Sequence, residues 1–473
     1  MTRNRRALAF SLVLLAGTLL GPPAATAAAA RVPGGGATTV PSSDPRIGFA
    51  GRWERHYAGD EAATVNSGSQ VRLAFTGRRL TALFDVSTIT VPPELWVTVD
   101  GGPRSLVTVD RAEIDLAPSG LRPGAHEVRI DVKDTDQVTN RWLPPLGDAV
   151  VLRGFRLPPG ERLLPPPRPA PVRMAFFGDS ITEGIRALGQ PLTPDGADGT
   201  RTYASVAGRA FHADIQLVGF GKQGVMRTGV GNVPTAPESF PYNFQGSAAD
   251  PGFDPGIVVL LQGSNDSTVT DEEFAPAYAS YLNEVRAADP HAWIFAMEPL
   301  IGRHSAVIQS DVEHAADPRM VFVNTDGWLD RHSTADYTDT VHPTVAGHLK
   351  VASRLVPIIS RVTGLPVRSS PVRVAAPDVT RSPDGTLTAQ VRIEQVLPDA
   401  LPAARGTVLV TAAPGFTADR DRLRYRVGRD GTATVTVRLR GGPPDGTGEV
   451  GSVRVLVDDN TEALPVPLVV TTP

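Results

Sequence analysis

Met174-Ala-Phe-Phe-Gly178-Asp179-Ser180-Ile181-Thr182-Glu183-Gly184 is a short apolar run that stops at a glycine and continues with an acid, a serine and a threonine. An apolar run of about four to six residues is too short for a helix and reads as a buried strand. Gly178 permits a sharp turn, which puts Ser180 at the carboxyl end of that strand. Open α/β sheets bind their ligands at that end. A serine there also reads as a helix N-cap, so its role depends on which other side chains reach it.

Working outward, residues 172 to about 363 alternate strands with helical stretches. Strands are predicted at Met174–Phe177, Ile215–Val218, Ile257–Leu261, Trp293–Met297 and Met320–Val323. Between them 202–211, 272–288 and 344–362 carry helical spacing. This alternation indicates a parallel sheet covered on both faces. Upstream, Pro165-Pro-Pro167-Arg-Pro169-Ala-Pro171 is a stiff spacer and marks a domain boundary over 165–171.

Residues 46–164 read as β throughout. Val71-Arg-Leu-Ala-Phe75 and His126-Glu-Val-Arg-Ile-Asp-Val-Lys133 alternate, and Trp96-Val-Thr-Val-Asp100 runs into the turn Gly101-Gly102. Short strands with Gly, Pro and Asp turns suggest a β-sandwich of jelly-roll type. Its aromatics Trp53, Tyr57 and Trp142 suit either the sandwich core or a platform for sugar rings. Residues 371–473 return to a strand pattern with turns such as Asp384-Gly385 and Asp430-Gly431, as in an immunoglobulin-like sandwich. No chemistry is legible there.

At 473 residues, with 41% hydrophobic and 20% charged residues, the chain has material for several cores and is not globally disordered. A net charge of −4 without a basic patch argues against a nucleic-acid partner. Arg3, Arg5 and Arg6 precede an apolar stretch from Ala7 to Leu20, and Ala25-Thr26-Ala27 follows. That is the three-part pattern of a secretory signal over residues 1–27, and its apolar part is shorter than the ~20 residues that span a bilayer. The protein is therefore expected to be secreted, with no stable membrane insertion after cleavage. Residues 28–45, rich in Gly, Pro, Ser and Thr, read as a flexible leader. The absence of cysteine excludes disulfides and thiolate metal sites. His304, His314 and His332 have no zinc-type spacing, so no metal or other cofactor is expected.

Three clusters in the middle region fall at strand or helix ends. They are Gly178-Asp179-Ser180, Gln262-Gly263-Ser264-Asn265-Asp266 and Asp339-Thr-Val-His342-Pro343. Ester hydrolysis by a serine requires a base, a group that orients the base, and donors for the oxyanion. Asp339 lies three residues before His342, so one turn of chain brings its carboxylate to Nδ1 and leaves Nε2 for Ser180. Asn265 is a candidate oxyanion donor beside the Ser180 backbone N–H, although Gly-Ser-Asn-Asp is also good turn material. Asp179 reads as a buried acid that pins the turn. A glycine-rich turn, Val218-Gly219-Phe-Gly221-Lys222-Gln-Gly224, offers a further donor. It lacks the lysine–serine/threonine ending of a phosphate-binding loop.

Gly178-Asp179-Ser180-Ile181-Thr182, Gly263-Ser264-Asn265-Asp266 and Asp339-Thr340-Val341-His342-Pro343 resemble blocks one, three and five of the SGNH (GDSL-like) hydrolases, in the family's order. The resemblance covers about 172–363 and implies a flavodoxin-like sheet working without a metal. It maps the nucleophile to Ser180, the oxyanion asparagine to Asn265, and the base to His342 with Asp339 as its orienting acid. The block-two donor maps to Gly221, with Gly224 or the Lys222 N–H as alternatives. A jelly-roll ahead of such a domain is similar to the carbohydrate esterases of family two. Phe75-Thr-Gly77, Val99-Asp100-Gly101 and Gly154-Phe155 resemble them too. Gly184-Ile185-Arg186-Ala187 departs from that family's common Cys-Gly-Tyr-Gly run, which leaves the substrate open. The resemblance implies a secreted esterase that deacetylates a polysaccharide such as xylan or glucomannan. Two alternatives are a lipase or thioesterase, with Phe240, Tyr242 and Phe244 lining an acyl groove, and a non-catalytic carbohydrate-binding or cell-surface module.

Overall fold

The computed structural model describes residues 36–470, apart from Ser119, Ala376 and the segments 398–402, 443–446 and 458–464. The export signal expected over 1–27, and the expected leader as far as residue 35, lie outside the described residues. The elements below all belong to the compact unit that begins at Ala37.

The middle region supplies strands β1 (Val172–Asp179), β2 (Ala213–Phe220), β3 (Ile257–Leu261), β4 (Trp293–Met297) and β5 (Met320–Val323). They pair in parallel in the order β2-β1-β3-β4-β5. This is a doubly wound order whose direction switches between β1 and β3, where ligands bind. Both faces are buried because successive side chains point to opposite sides. Met174, Phe176, Val259 and Leu261 pack on one side; Ala175, Phe177, Val258 and Leu260 pack on the other.

Helices α1 (Ser180–Glu183), α2 (Tyr203–Ala210), α3 (Asp271–Ala288), α4 (Ser305–Ala315) and α5 (Val345–Thr363) complete the layers. Helices α2 and α5 cover the Met174 face, while α3 and α4 cover the other. Thr202 and Thr344, predicted as first helical residues, are instead N-caps that accept from the N–H groups of Ser205 and Gly347. Helix α4 carried little sequence signal. It buries only Ile308 and Val312 and has no side-chain cap.

The N-terminal region forms two antiparallel sheets around Leu73, Phe75, Phe84, Leu95, Val128 and Phe155. It begins earlier than predicted. Thr38–Pro41, assigned above to the flexible leader, is an edge strand paired with Val150–Leu157, and Val40 enters the core. The β-branched Thr-Thr-Val run there was masked by surrounding Gly and Pro. Trp53 lies in this core, and Trp142 is buried against the central parallel sheet beside Phe220 and Phe240. These tryptophans fill cores and form no open sugar platform. Residues 372–470 build two further antiparallel sheets around Leu387, Val391, Val408, Val437 and Val455. Among the described residues, no helix is long and apolar enough to cross a membrane.

Candidate active site

Strand β1 ends in the turn that presents Ser180. Asp179 takes the N-cap position of α1, its Oδ1 accepting the Ile181 N–H at 2.9 Å. Ser180 therefore does not cap the helix, and its hydroxyl is left for other partners. Gly178 serves by lacking a side chain more than by bending, because a Cβ there would lie 2.1 Å from Thr182 Oγ1 and 2.9 Å from the Leu261 carbonyl. Asp179 is fully buried, which pushes its carboxyl above the usual range; the Ile181 N–H works against that.

Between β5 and α5 the chain brings Asp339 and His342 to the same place. Asp339 Oδ1 accepts the backbone N–H groups of Val341 at 2.8 Å and His342 at 2.7 Å. Its Oδ2 meets His342 Nδ1 at 2.8 Å, and His342 Nε2 lies 3.0 Å from Ser180 Oγ. The serine from one stretch and the imidazole and carboxylate from another, distant in the chain, thus form one hydrogen-bonded line. Partial burial would raise the Asp339 carboxyl, but the His342 N–H, Arg186 and the His342 ring together hold it well below the usual carboxylate range.

Asn265, in the loop after β3, reaches the same turn. Its Nδ2 donates to the Gln223 carbonyl at 3.0 Å and, at a longer 3.3 Å, to Asp179 Oδ2. The neighbouring Asp266 fastens the glycine-rich loop to this one, accepting the N–H groups of Val225 and Met226 at 2.9 Å each.

Gly221, predicted as an oxyanion donor, is engaged elsewhere. Its backbone faces the Glu183 carboxyl and favours the ionised form, and its carbonyl accepts the Val230 N–H at 2.8 Å. A Cβ there would lie 2.3 Å from Gln137 Oε1, so the bare glycine lets the Gln137 side chain of the N-terminal region approach closely. Gln223, two residues on, accepts the Asn265 side chain on its carbonyl, and Arg227 donates to the Asn265 carbonyl at 3.3 Å. The alternative Gly224 donates its N–H to the Arg227 carbonyl at 2.9 Å.

Two arginines escaped the sequence reading. Arg186 Nη1 donates to Asp339 Oδ2 at 2.6 Å, on the oxygen that also meets His342. Its only signal was the departure after Gly184. Arg141, from the N-terminal region, is fully buried, donates to Glu183 Oε1 and stacks over Phe220 with 5.1 Å to the ring centroid. No local pattern ties positions so far apart. Of the predicted aromatic groove, Phe240 and Phe244 are buried and only Tyr242 is exposed, at 40%.

Residues 176–350 match the GDSL-like Lipase/Acylhydrolase family. The chain is 27% identical over 321 residues to the cellulase/esterase CelE of Acetivibrio thermocellus, an alignment covering 63% of this chain but only 37% of that protein. It is 24% identical over 345 residues to the acetylxylan esterase / glucomannan deacetylase of Cellvibrio japonicus, covering 68% of this chain and 91% of the other. A solved family two carbohydrate esterase from Clostridium thermocellum in complex with cellohexaose superposes with a TM-score of 0.56 at 25% identity, over 67% of this chain and 99% of that one. The chain thus carries a GDSL-like lipase/acylhydrolase domain, and its relatives include family two carbohydrate esterases.

Proposed function

We propose that this protein is a serine carboxylic ester hydrolase that removes acetyl groups from a polysaccharide such as xylan or glucomannan. The carrying observation is the continuous line from Asp339 through His342 to Ser180 Oγ, with spacings of 2.8 and 3.0 Å. Ser180 Oγ attacks the acetyl carbonyl as His342 Nε2 takes its proton. The tetrahedral intermediate collapses, the sugar oxygen leaves with that proton, and an acetyl-serine remains. Water, deprotonated by the same imidazole, then releases acetate and restores the serine. The Ser180 N–H and Asn265 Nδ2 receive the oxyanion. The longer of the two Asn265 bonds, to Asp179, is the one surrendered to it. Gly221 is not retained in this role.

The substrate class is supported by the family two relatives and by the burial of Phe240 and Phe244, which removes most of the apolar groove a long acyl chain would occupy. The arrangement around it is part of the same proposal. It comprises an export signal over 1–27, a jelly-roll sandwich, the hydrolase region over 172–363 and an immunoglobulin-like C-terminal sandwich over 371–473. The intact hydrogen-bonded line argues against a purely binding module.

The test is acetate release from acetylated xylan and glucomannan, with 4-nitrophenyl acetate compared against the decanoate ester. Acetate release with a preference for the acetyl ester is expected. Preference for the decanoate would replace the deacetylase by a lipase, and binding of polysaccharide without hydrolysis would leave a carbohydrate-binding module. Asn265→Ala is expected to lower kcat by roughly 10²–10³ with KM little changed, because the donor acts on charge that develops in the transition state. Retention of more than about a tenth of kcat would remove Asn265 from the oxyanion site.

A further inference from the structure

Asp339 does not serve His342 alone. Its Oδ2 lies 2.8 Å from His342 Nδ1 and 2.6 Å from Arg186 Nη1, so one carboxylate oxygen is shared between an imidazole and a permanent cation. Its Oδ1 is already taken by two backbone N–H groups. The guanidinium is held in place from its other side, Nε donating to the Gln190 carbonyl at 3.0 Å. Arg186 itself sits in the left-handed region at φ 57°. Its carbonyl accepts Thr338 Oγ1 at 2.8 Å, and Gln190 Nε2 donates to the Thr338 carbonyl at 2.6 Å. The turn is therefore tied to the Asp339 loop without the guanidinium, whose bond to Asp339 is an addition to that tie.

We infer that Arg186 is a positioning residue that shares the charge of Asp339, keeping His342 ready to accept a proton in mildly acidic surroundings. This rests on His342 acting as the base. In an unshared pair the full carboxylate charge favours the protonated ring, which cannot take the serine proton. A guanidinium on the same oxygen offsets part of that charge and repels the protonated ring directly.

Other titratable groups lie around His342, and none of them is removed by substitution at Arg186. Asp179, in the nucleophile turn, is buried, and burial together with the nearby Asp266 charge pushes its carboxyl upward, while the Ile181 N–H, Ser264 and the His342 charge act the other way. Glu183 on α1 is paired with Arg141. His348 on α5 is fully buried and neutral, its acidity set first by burial and then by repulsion from His342, which together push it down to about 3. Asp336, at the far end of the loop, is paired with Lys350.

The experiment compares wild type, Arg186→Gln and Arg186→Lys on 4-nitrophenyl acetate between pH 4 and 9, the range being set at about those limits by the titration of histidine. Without the cation the ring keeps its proton to higher pH. The acid limb of kcat/KM in Arg186→Gln is expected to move up by roughly half to two pH units, while Arg186→Lys stays nearer wild type. A loss by the same factor at every pH, with no movement of the limb, would make Arg186 a mere brace and overturn the inference. The His342 ring protons, identified by their absence in His342→Gln, are followed by NMR over the same range. They are expected to change position at a higher pH in Arg186→Gln. If the wild type cleaves no ester, the esterase reading fails, and this titration alone decides the role of Arg186.

Discussion

Ser180→Ala is expected to lower kcat by roughly 10⁴–10⁶ while leaving the fold intact. The reasoning is local. The hydroxyl is the only atom removed, Ser180 is not the cap of α1, and Asp179 continues to hold the Ile181 N–H. His342 loses one partner at 3.0 Å but keeps the Asp339 bond at 2.8 Å, so the base stays oriented with nothing to deprotonate. His342→Ala is expected to fall nearly as far. The double variant should fall no further than the more damaging single change, because the two groups act in one step. The check is steady-state hydrolysis of 4-nitrophenyl acetate and acetate release from acetylated xylan, with circular dichroism to confirm the fold. Both activities should vanish together. If Ser180→Ala retained either one above about a hundredth of wild type, that ester would be hydrolysed elsewhere, since loss of a true nucleophile far exceeds that factor.

Arg141→Met should be the most damaging single change to stability, at about 3–5 kcal/mol, because it leaves a buried acid without its partner. Arg141 is fully buried, Glu183 is 1% exposed, and Asp134 lies beside them, also buried. Burial already pushes the Glu183 carboxyl upward, with the Arg141 charge acting against it, and pushes Asp134 well upward, aided by the nearby Glu183. Removing the guanidinium raises the Glu183 carboxyl further in the folded state, above its value in the unfolded chain. The folded variant then binds the extra proton, so its deficit is largest at neutral pH and narrows as pH falls toward the unfolded value. Urea unfolding of wild type and variant at about pH 7 and about pH 5 reads this directly, the two values spanning ordinary carboxylate titration. Glu183→Gln in the Arg141→Met background should restore part of the loss. An equal deficit at both pH values would mean that packing over Phe220 matters and the ion pair does not.

Much of the central region was legible because its signals are short-range. The apolar runs at Met174–Phe177 and Ile257–Leu261, each ending in Gly-Asp-Ser or Gln-Gly-Ser-Asn, announce strands that stop at a site. Asp339 and His342 are three residues apart, so their contact follows from local chain geometry. Helix α4 was missed because only two of its side chains are buried and no cap announces it. The strand Thr38–Pro41 was missed because composition alone says nothing about which edge a segment joins.

The sequence by itself determined the alternating layers of the central sheet and the residue types at the ends of its strands, since periodicity and turn chemistry act over a few neighbours. The tertiary structure decided which of those residues meet. It set Gly221 against Gln137, carried Arg141 from the N-terminal region onto Glu183, and placed Arg186 on the oxygen that Asp339 presents to His342. Those contacts join positions distant in the chain, and packing between separate elements, which leaves no period or local motif, is what creates them.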